Sequence, residues 1–186
     1  MKNLFKRLLW IGAVASLYIW IIILVCYHLN PSFVFTQGAL SQFGAPSANY
    51  PFIYNIFGMI VTGILLMLFS VSLIGLSENK LETVGSSFLF ISSVFLMLIG
   101  VFFAGTRPHV FVSTYFYYQA DLAIITFGLG SVLHDRSEGM VSLLIGVAAP
   151  IIAFIVKWPS SATLEVFGII CIEAWVLISI YRIRKW

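Results

Sequence analysis

Six apolar stretches divide this chain from end to end: 8–29, 52–76, 86–104, 111–133, 140–156 and 163–183. Each is close to the ~20 residues a helix needs to cross the hydrocarbon core of a bilayer. In lipid, every backbone N–H and C=O must find its partner inside the protein, and a helix satisfies both within one segment. The chain is 61% hydrophobic and 9% charged, against roughly 25% charged in soluble domains. A water-soluble core cannot hide that much apolar surface. The expected fold class is therefore all-α: a polytopic membrane protein with a six-helix transmembrane bundle, forming a single domain over residues 1–186.

Lys2, Lys6 and Arg7 precede the first stretch, and 13–15 resembles a cleavage site. The stretch is too long for a signal-peptide core of about 7–15 residues, and the small residues fall too early in it. It reads as a retained helix. The fifth stretch is the shortest, and Pro150 interrupts it. A kink is expected there, with the Gly146 carbonyl released from its usual donor.

Charge sets the expected orientation. With the N-terminus inside, the inner face collects Lys2, Lys6, Arg7, Lys80, Arg136, Arg182, Arg184 and Lys185, and the outer face keeps only Arg107 and Lys157. That bias follows the positive-inside rule and puts both ends in the cytoplasm, as an even number of spans requires. Tyr27, Tyr50, Tyr54 and Trp158 fall at outer boundaries, and Trp10, Tyr181 and Trp186 at inner ones, as in an aromatic belt. Ser86, Ser93 and Gly100, then Gly146, Ala149 and Ala153, then Gly58 and Thr62 form small-residue faces that let helices approach closely. The long outer loop, 30–51, carries no charge. Thr36 as a cap and Gly44 followed by Pro46 as a stop predict a short helix over 37–43, with Leu40 and Phe43 turned to the interface or capping the bundle.

Two polar constellations could carry chemistry. Thr114, Tyr117, Tyr118 and Asp121 share one face of the fourth stretch, and Asp121 lies roughly 15 Å from its start, near mid-membrane. Glu173 lies at similar depth in the sixth. An intramembrane acid is costly and marks a functional site by default, although protonation or hydrogen bonding could leave it purely structural. The second constellation is an outer-face cluster of Ser41, Gln42, Asn55, Arg107, His109 and Ser113. There Arg107 could grip a phosphate or carboxylate, and His109 could exchange a proton. His134-Asp135-Arg136 reads as a solvated inner turn, and Cys26 and Cys171 as small buried hydrophobes. His28 and His109 alone do not supply the ligands zinc needs, so no metal or cofactor is expected. Nucleotide-binding and nucleophile-elbow motifs are absent, and nothing points to nucleic acid.

Several of these residues form a pattern. Leu40-Ser41-Gln42-Phe43-Gly44-Ala45, the run from Asn55 through Gly58 and Thr62 to Gly63, and Gly105-Thr-Arg107-Pro-His109-Val-Phe-Val-Ser113 together resemble a prokaryotic family of six-helix membrane proteins of unknown function, distantly similar to the Frag1/DRAM/Sfk1-like group. Ser41, Gly44, Asn55, Gly58, Gly63, His109 and Ser113 match. Phe43 stands where that family has Leu, and its acidic, Pro-rich approach to the His is reduced here to Thr106-Arg107-Pro108. The resemblance implies the six-helix fold and an outward polar cluster, without an activity.

Three functions stay open. The favoured one is a noncatalytic integral protein of the plasma membrane that binds lipid or serves as an accessory subunit among other integral membrane partners. The second is a small proton- or cation-coupled transporter using Asp121 and Glu173. The third is an intramembrane lipid-modifying enzyme, with His109 as acid/base, Arg107 as clamp and Ser41 or Ser113 as nucleophile.

Overall fold

The computed structural model describes residues 2–184. Lys185 and Trp186, counted above on the inner face, lie outside them, as does the side chain of Arg184. Six long helices carry the described chain: α1 (Lys2–Leu29, with a pause at Leu9), α2 (Ile53–Leu76), α3 (Lys80–Val101), α4 (His109–Ser131), α5 (Arg136–Ile155) and α6 (Ser161–Arg184). No strand occurs among the described residues. Five of the helices are long and apolar enough to cross a membrane. The exception is α4, which has 23 residues, enough to span, but whose tyrosines, Gln119 and Asp121 dilute its apolar content. Large side chains such as Phe154, Leu144, Leu17 and Leu24 lie on the bundle's outer surface, a distribution that suits a lipid solvent. The chain is a multi-pass integral membrane protein.

Two helices, α3 and α5, start earlier than their apolar stretches because polar residues cap them. The Asn79 side chain accepts from the Glu82 N–H at 3.0 Å, so α3 begins at Lys80 rather than near Ser86. Asp135 does the same for Glu138, which extends the fifth helix to 20 residues from Arg136. Each cap satisfies a donor that a helix start leaves open. The α5 helix continues through Pro150 to Ile155.

Neighbouring helices in sequence pack against one another, and α6 closes the ring against α1 while also touching α4. The largest interface joins α3 and α4. They run antiparallel: Ser92 Oγ donates to the Phe116 carbonyl at 2.9 Å, and Gly85 lies against Phe127. A Cβ on Gly85 would sit 2.5 Å from the Phe127 nitrogen, which only the missing side chain permits. The predicted small-residue face of α3 holds, with Ser86, Ser93 and Gly100 all buried. Gly58 and Thr62 are buried as well.

The 30–51 loop differs from expectation. No helix forms over 37–43; a tighter 3₁₀ turn, Leu40–Gly44, replaces it. Leu40 and Phe43 are both buried. Phe33, Phe43 and Tyr54 stack with ring centroids 4.4 and 6.0 Å apart, so Tyr54 belongs to the core rather than to an aromatic belt. The loop is held to the start of α6 by the Ala162 N–H donating to the Gly38 carbonyl at 2.9 Å and by Ser160 Oγ donating to the Phe35 carbonyl at 2.7 Å.

Candidate functional site

The first turns of α2, Ile53–Ile60, wind as a π-helix, a widened form found often at functional sites. Two close approaches fit this region together. Asn55 Nδ2 donates to the Gly44 carbonyl at 2.9 Å, and a Cβ on Gly44 would lie 2.0 Å from Asn55 Oδ1. A Cβ on Gly100 would lie 2.3 Å from the Asn55 carbonyl oxygen. The 3₁₀ turn thereby seats on the bundle end, over a cavity of about 90 Å³ walled by α1, α2, α3, α4 and α6.

Most of the cavity wall is apolar. Its polar groups are Ser16, Ser41, Thr62, His109, Ser113, Tyr54, Tyr117, Glu165 and Glu173, and it has no Lys or Arg. Glu173 Oε2 accepts from Trp20 Nε1–H at 2.7 Å, and its Oε1 is buried without a hydrogen-bond partner. Glu165 Oε2 accepts from the Leu40 N–H at 2.6 Å, which couples the loop to α6. Thr62 Oγ1 is also buried without a partner. His109 Nδ1 lies 2.8 Å from the Phe102 carbonyl. A carbonyl only accepts, so Nδ1 carries the proton and Nε2 is left for other partners.

A second space, an apolar groove of about 550 Å³, lies between α4, α5 and α6. Ala149, Pro150, Ala153 and Phe154 form its α5 side, and Thr114, Tyr118 and Asp121 its α4 side. Ser113, Tyr117, Glu165 and Ile172 line both the groove and the central cavity. The two spaces meet at these four residues.

The other end of the bundle holds a buried ion network. Glu82 is 1% and Arg182 3% exposed, and Arg182 Nη2 lies 2.7 Å from Glu82 Oε1. Arg182 Nη1 donates to Ser131 Oγ at 2.7 Å, Ser131 Oγ donates to Glu82 Oε1 at 3.1 Å, and Arg182 Nε lies 3.4 Å from Glu138 Oε2. His134 Nε2 meets Arg182 Nη2 and lies 3.0 Å from Glu82 and 3.1 Å from Glu78. The guanidinium also sits 5.5 Å from the Phe127 ring centroid, in cation–π range.

A family model described as a protein of unknown function, DUF998, matches residues 13–181. The chain belongs to the DUF998 family. No curated protein and no solved structure matches it. The match to DUF998 takes in both cavities and most of the ion network, and it includes every residue of the pattern read from the sequence.

Within this DUF998 bundle the predicted seam divides. Thr114, Tyr118 and Asp121 line the groove, Glu173 lines the central cavity, and Tyr117 lines both. The two mid-membrane acids thus face different spaces. The predicted outer cluster divides too. Ser41, His109 and Ser113 reach the central cavity, Asn55 holds Gly44, and Gln42 and Arg107 are exposed. Arg107 lines neither the cavity nor the groove. Ser113 Oγ donates to the backbone carbonyl of His109 at 2.8 Å, so no Ser–imidazole pair is set up for nucleophilic attack. The turn at His134 is not simply solvated, because His134 is half-buried in the ion network; Arg136 beside it is exposed.

Three functional groups escaped the sequence reading. Glu165 has no role in the sequence analysis, although it lies eight positions before Glu173 and so falls within the same helical stripe. Glu82 likewise has none, and Arg182 is counted there only among the inner-face charges. The signal available for both was their place in the first or last turn of a helix, where a buried charge can reach a neighbouring helix end.

Proposed function

We propose that this DUF998 protein is a noncatalytic membrane protein that binds an amphiphile. The hydrocarbon chain would lie in the groove between α4, α5 and α6, and the polar head at the wall formed by Ser113, Tyr117 and Glu165. One observation carries the reading: an apolar groove of about 550 Å³ shares that wall with a cavity holding several polar groups. The groove falls in the size range of small-molecule sites. Its chemistry, largely apolar with a few convergent polar groups, is that of ligand pockets generally. Tight seating of helices through glycines also supports a role alongside other integral subunits, which would use the broad apolar face of α5. The excess of basic residues at the Lys80 end supports a plasma-membrane orientation with both termini cytoplasmic. The distant likeness to the Frag1/DRAM/Sfk1-like group rests on the motif residues alone.

A specific observation favours a second reading, a proton- or cation-coupled transporter. Asp121 and Glu173 face separate spaces on either side of one wall, the arrangement that alternating access to a shared site would use. The enzyme reading draws less support, because Arg107 lies outside the cavity that His109 lines.

Lipid retained through purification in mild detergent tests the first reading. Mass spectrometry of the folded wild-type protein is expected to find a tightly held amphiphile, and Ala153→Trp, which fills the groove, to release it. Wild-type protein without bound amphiphile, or a folded Ala153→Trp protein that retains it fully, would overturn the proposal.

A further inference from the structure

We propose that the head group received at the central cavity is a protonated amine, an inference that rests on the amphiphile-binding reading above. The argument starts from charge. Glu165 and Glu173 both line the cavity, and neither the cavity nor the groove has a Lys or Arg in its wall. Each carboxylate has one oxygen held by a neutral N–H donor, from Leu40 and Trp20 respectively. Those bonds fix the carboxylates in place without cancelling their charge. A charge removed from water needs an ionic partner or a proton, and a ligand ammonium supplies both the opposite charge and several donors.

The remaining oxygens are where such donors would go. Glu173 Oε1 is buried without a hydrogen-bond partner. Thr62, 6% exposed and lining the same cavity, likewise has its Oγ1 unpartnered. Two unsatisfied oxygens at one cavity, on α2 and α6, offer acceptors to a donor from outside the chain. The aromatic rings of Tyr54, Phe116 and Tyr117 line the same space, and aromatic walls suit ammonium groups. An anionic phosphate head would meet two carboxylates and no cation. A hydroxyl head could make hydrogen bonds but would leave the carboxylates uncompensated.

Three probes of one chain length decide the matter: dodecylamine, dodecanol and dodecyl phosphate, each titrated at pH 7 into the full chain in neutral detergent and followed by native mass spectrometry. Dodecylamine is expected to bind about tenfold or more tighter than dodecanol, the ratio a charge-assisted hydrogen bond supplies, and dodecyl phosphate weakest. Glu165→Gln and Glu173→Gln keep an acceptor for Leu40 and Trp20, so folding is retained. Each is expected to erase most of the amine preference, bringing the dodecylamine and dodecanol affinities together. Equal binding of amine and alcohol, tighter binding of the phosphate, or an amine preference that survives both substitutions would overturn the inference while leaving the amphiphile reading standing. Failure of all three probes to bind would overturn both.

Discussion

Removing the Arg182 guanidinium, as in Arg182→Met, should destabilise the protein far more than a surface charge change. Glu82, 1% exposed, would lose the cation 2.7 Å away, and Ser131 Oγ would lose its donor. Breaking a buried ion pair by deleting one partner costs about 3–5 kcal/mol, because the survivor is left uncompensated. The lower part of that range is expected here, since His134 Nε2 remains 3.0 Å from Glu82. Glu82→Gln should cost somewhat less than Arg182→Met, since Glu138 remains near the guanidinium at 3.4 Å. Removing both charges together, in Glu82→Gln with Arg182→Met, should cost no more than Arg182→Met alone, because the uncompensated charge at Glu82 is gone while Glu138 still loses its partner. The coupling read from that cycle is therefore expected to be about 2–3 kcal/mol. SDS titration in mixed micelles, followed by helical circular dichroism, measures all four proteins. Single losses below about 1 kcal/mol, as for an exposed pair, would refute the reasoning. So would a double variant whose loss equals the sum of the two singles.

Two further outcomes are expected. Gly85→Ala places a Cβ 2.5 Å from the Phe127 backbone nitrogen, so the same titration should show a loss of about 1–3 kcal/mol, whereas Leu144→Ala, 68% exposed on the outer surface, should change stability by less than about 0.5 kcal/mol in detergent; equal effects would contradict the helix contact. In a background with Cys26→Ala and Cys171→Ala, an impermeant maleimide should label Ser47→Cys on intact cells and Lys80→Cys only after permeabilisation, and labelling of both from one side would overturn the proposed orientation.

The helical bundle was legible because its cause is in the sequence: apolar runs of spanning length admit few alternatives. Asp121 and Glu173 stood out for the same reason, as acids where acids are expensive. What the sequence could not convey was which spaces these residues face. Tyr117 and Asp121 share a helical face by periodicity, yet Tyr117 reaches the central cavity and Asp121 does not, since that depends on where α5 and α6 lie against α4. The 30–51 loop shows the other limit. Its cap and stop residues predicted a helix over 37–43, but Phe43 gains more by stacking with Phe33 and Tyr54, and Leu40 by directing its N–H to Glu165. Those partners are distant in sequence, so tertiary contacts overrode the local signals. The burial of Arg182 was not legible, because basic residues near helix ends usually mark topology. Its burial comes from three other helix ends meeting it.

Helix α6 carries charge in two ways, and the contrast bears on function. Toward its C-terminal end, Arg182 is surrounded by Glu82, Glu138 and Ser131. There the chain provides its own cation for a buried acid. In its first turns and at its middle, Glu165 and Glu173 face a cavity whose wall has no Lys or Arg. If those acids served only packing, one of the chain's ten basic residues, or a neutral side chain at either position, would relieve the cost. Instead the acids are oriented by Leu40 and Trp20, and Glu173 Oε1 is left without a partner. A positive charge must therefore arrive from outside, as a proton or as a ligand. The adjoining groove, apolar and wide enough for a hydrocarbon chain, favours a ligand that carries its charge on a long apolar tail, and this is why the alkylamine titration discriminates between the two more sharply than mutating either acid alone.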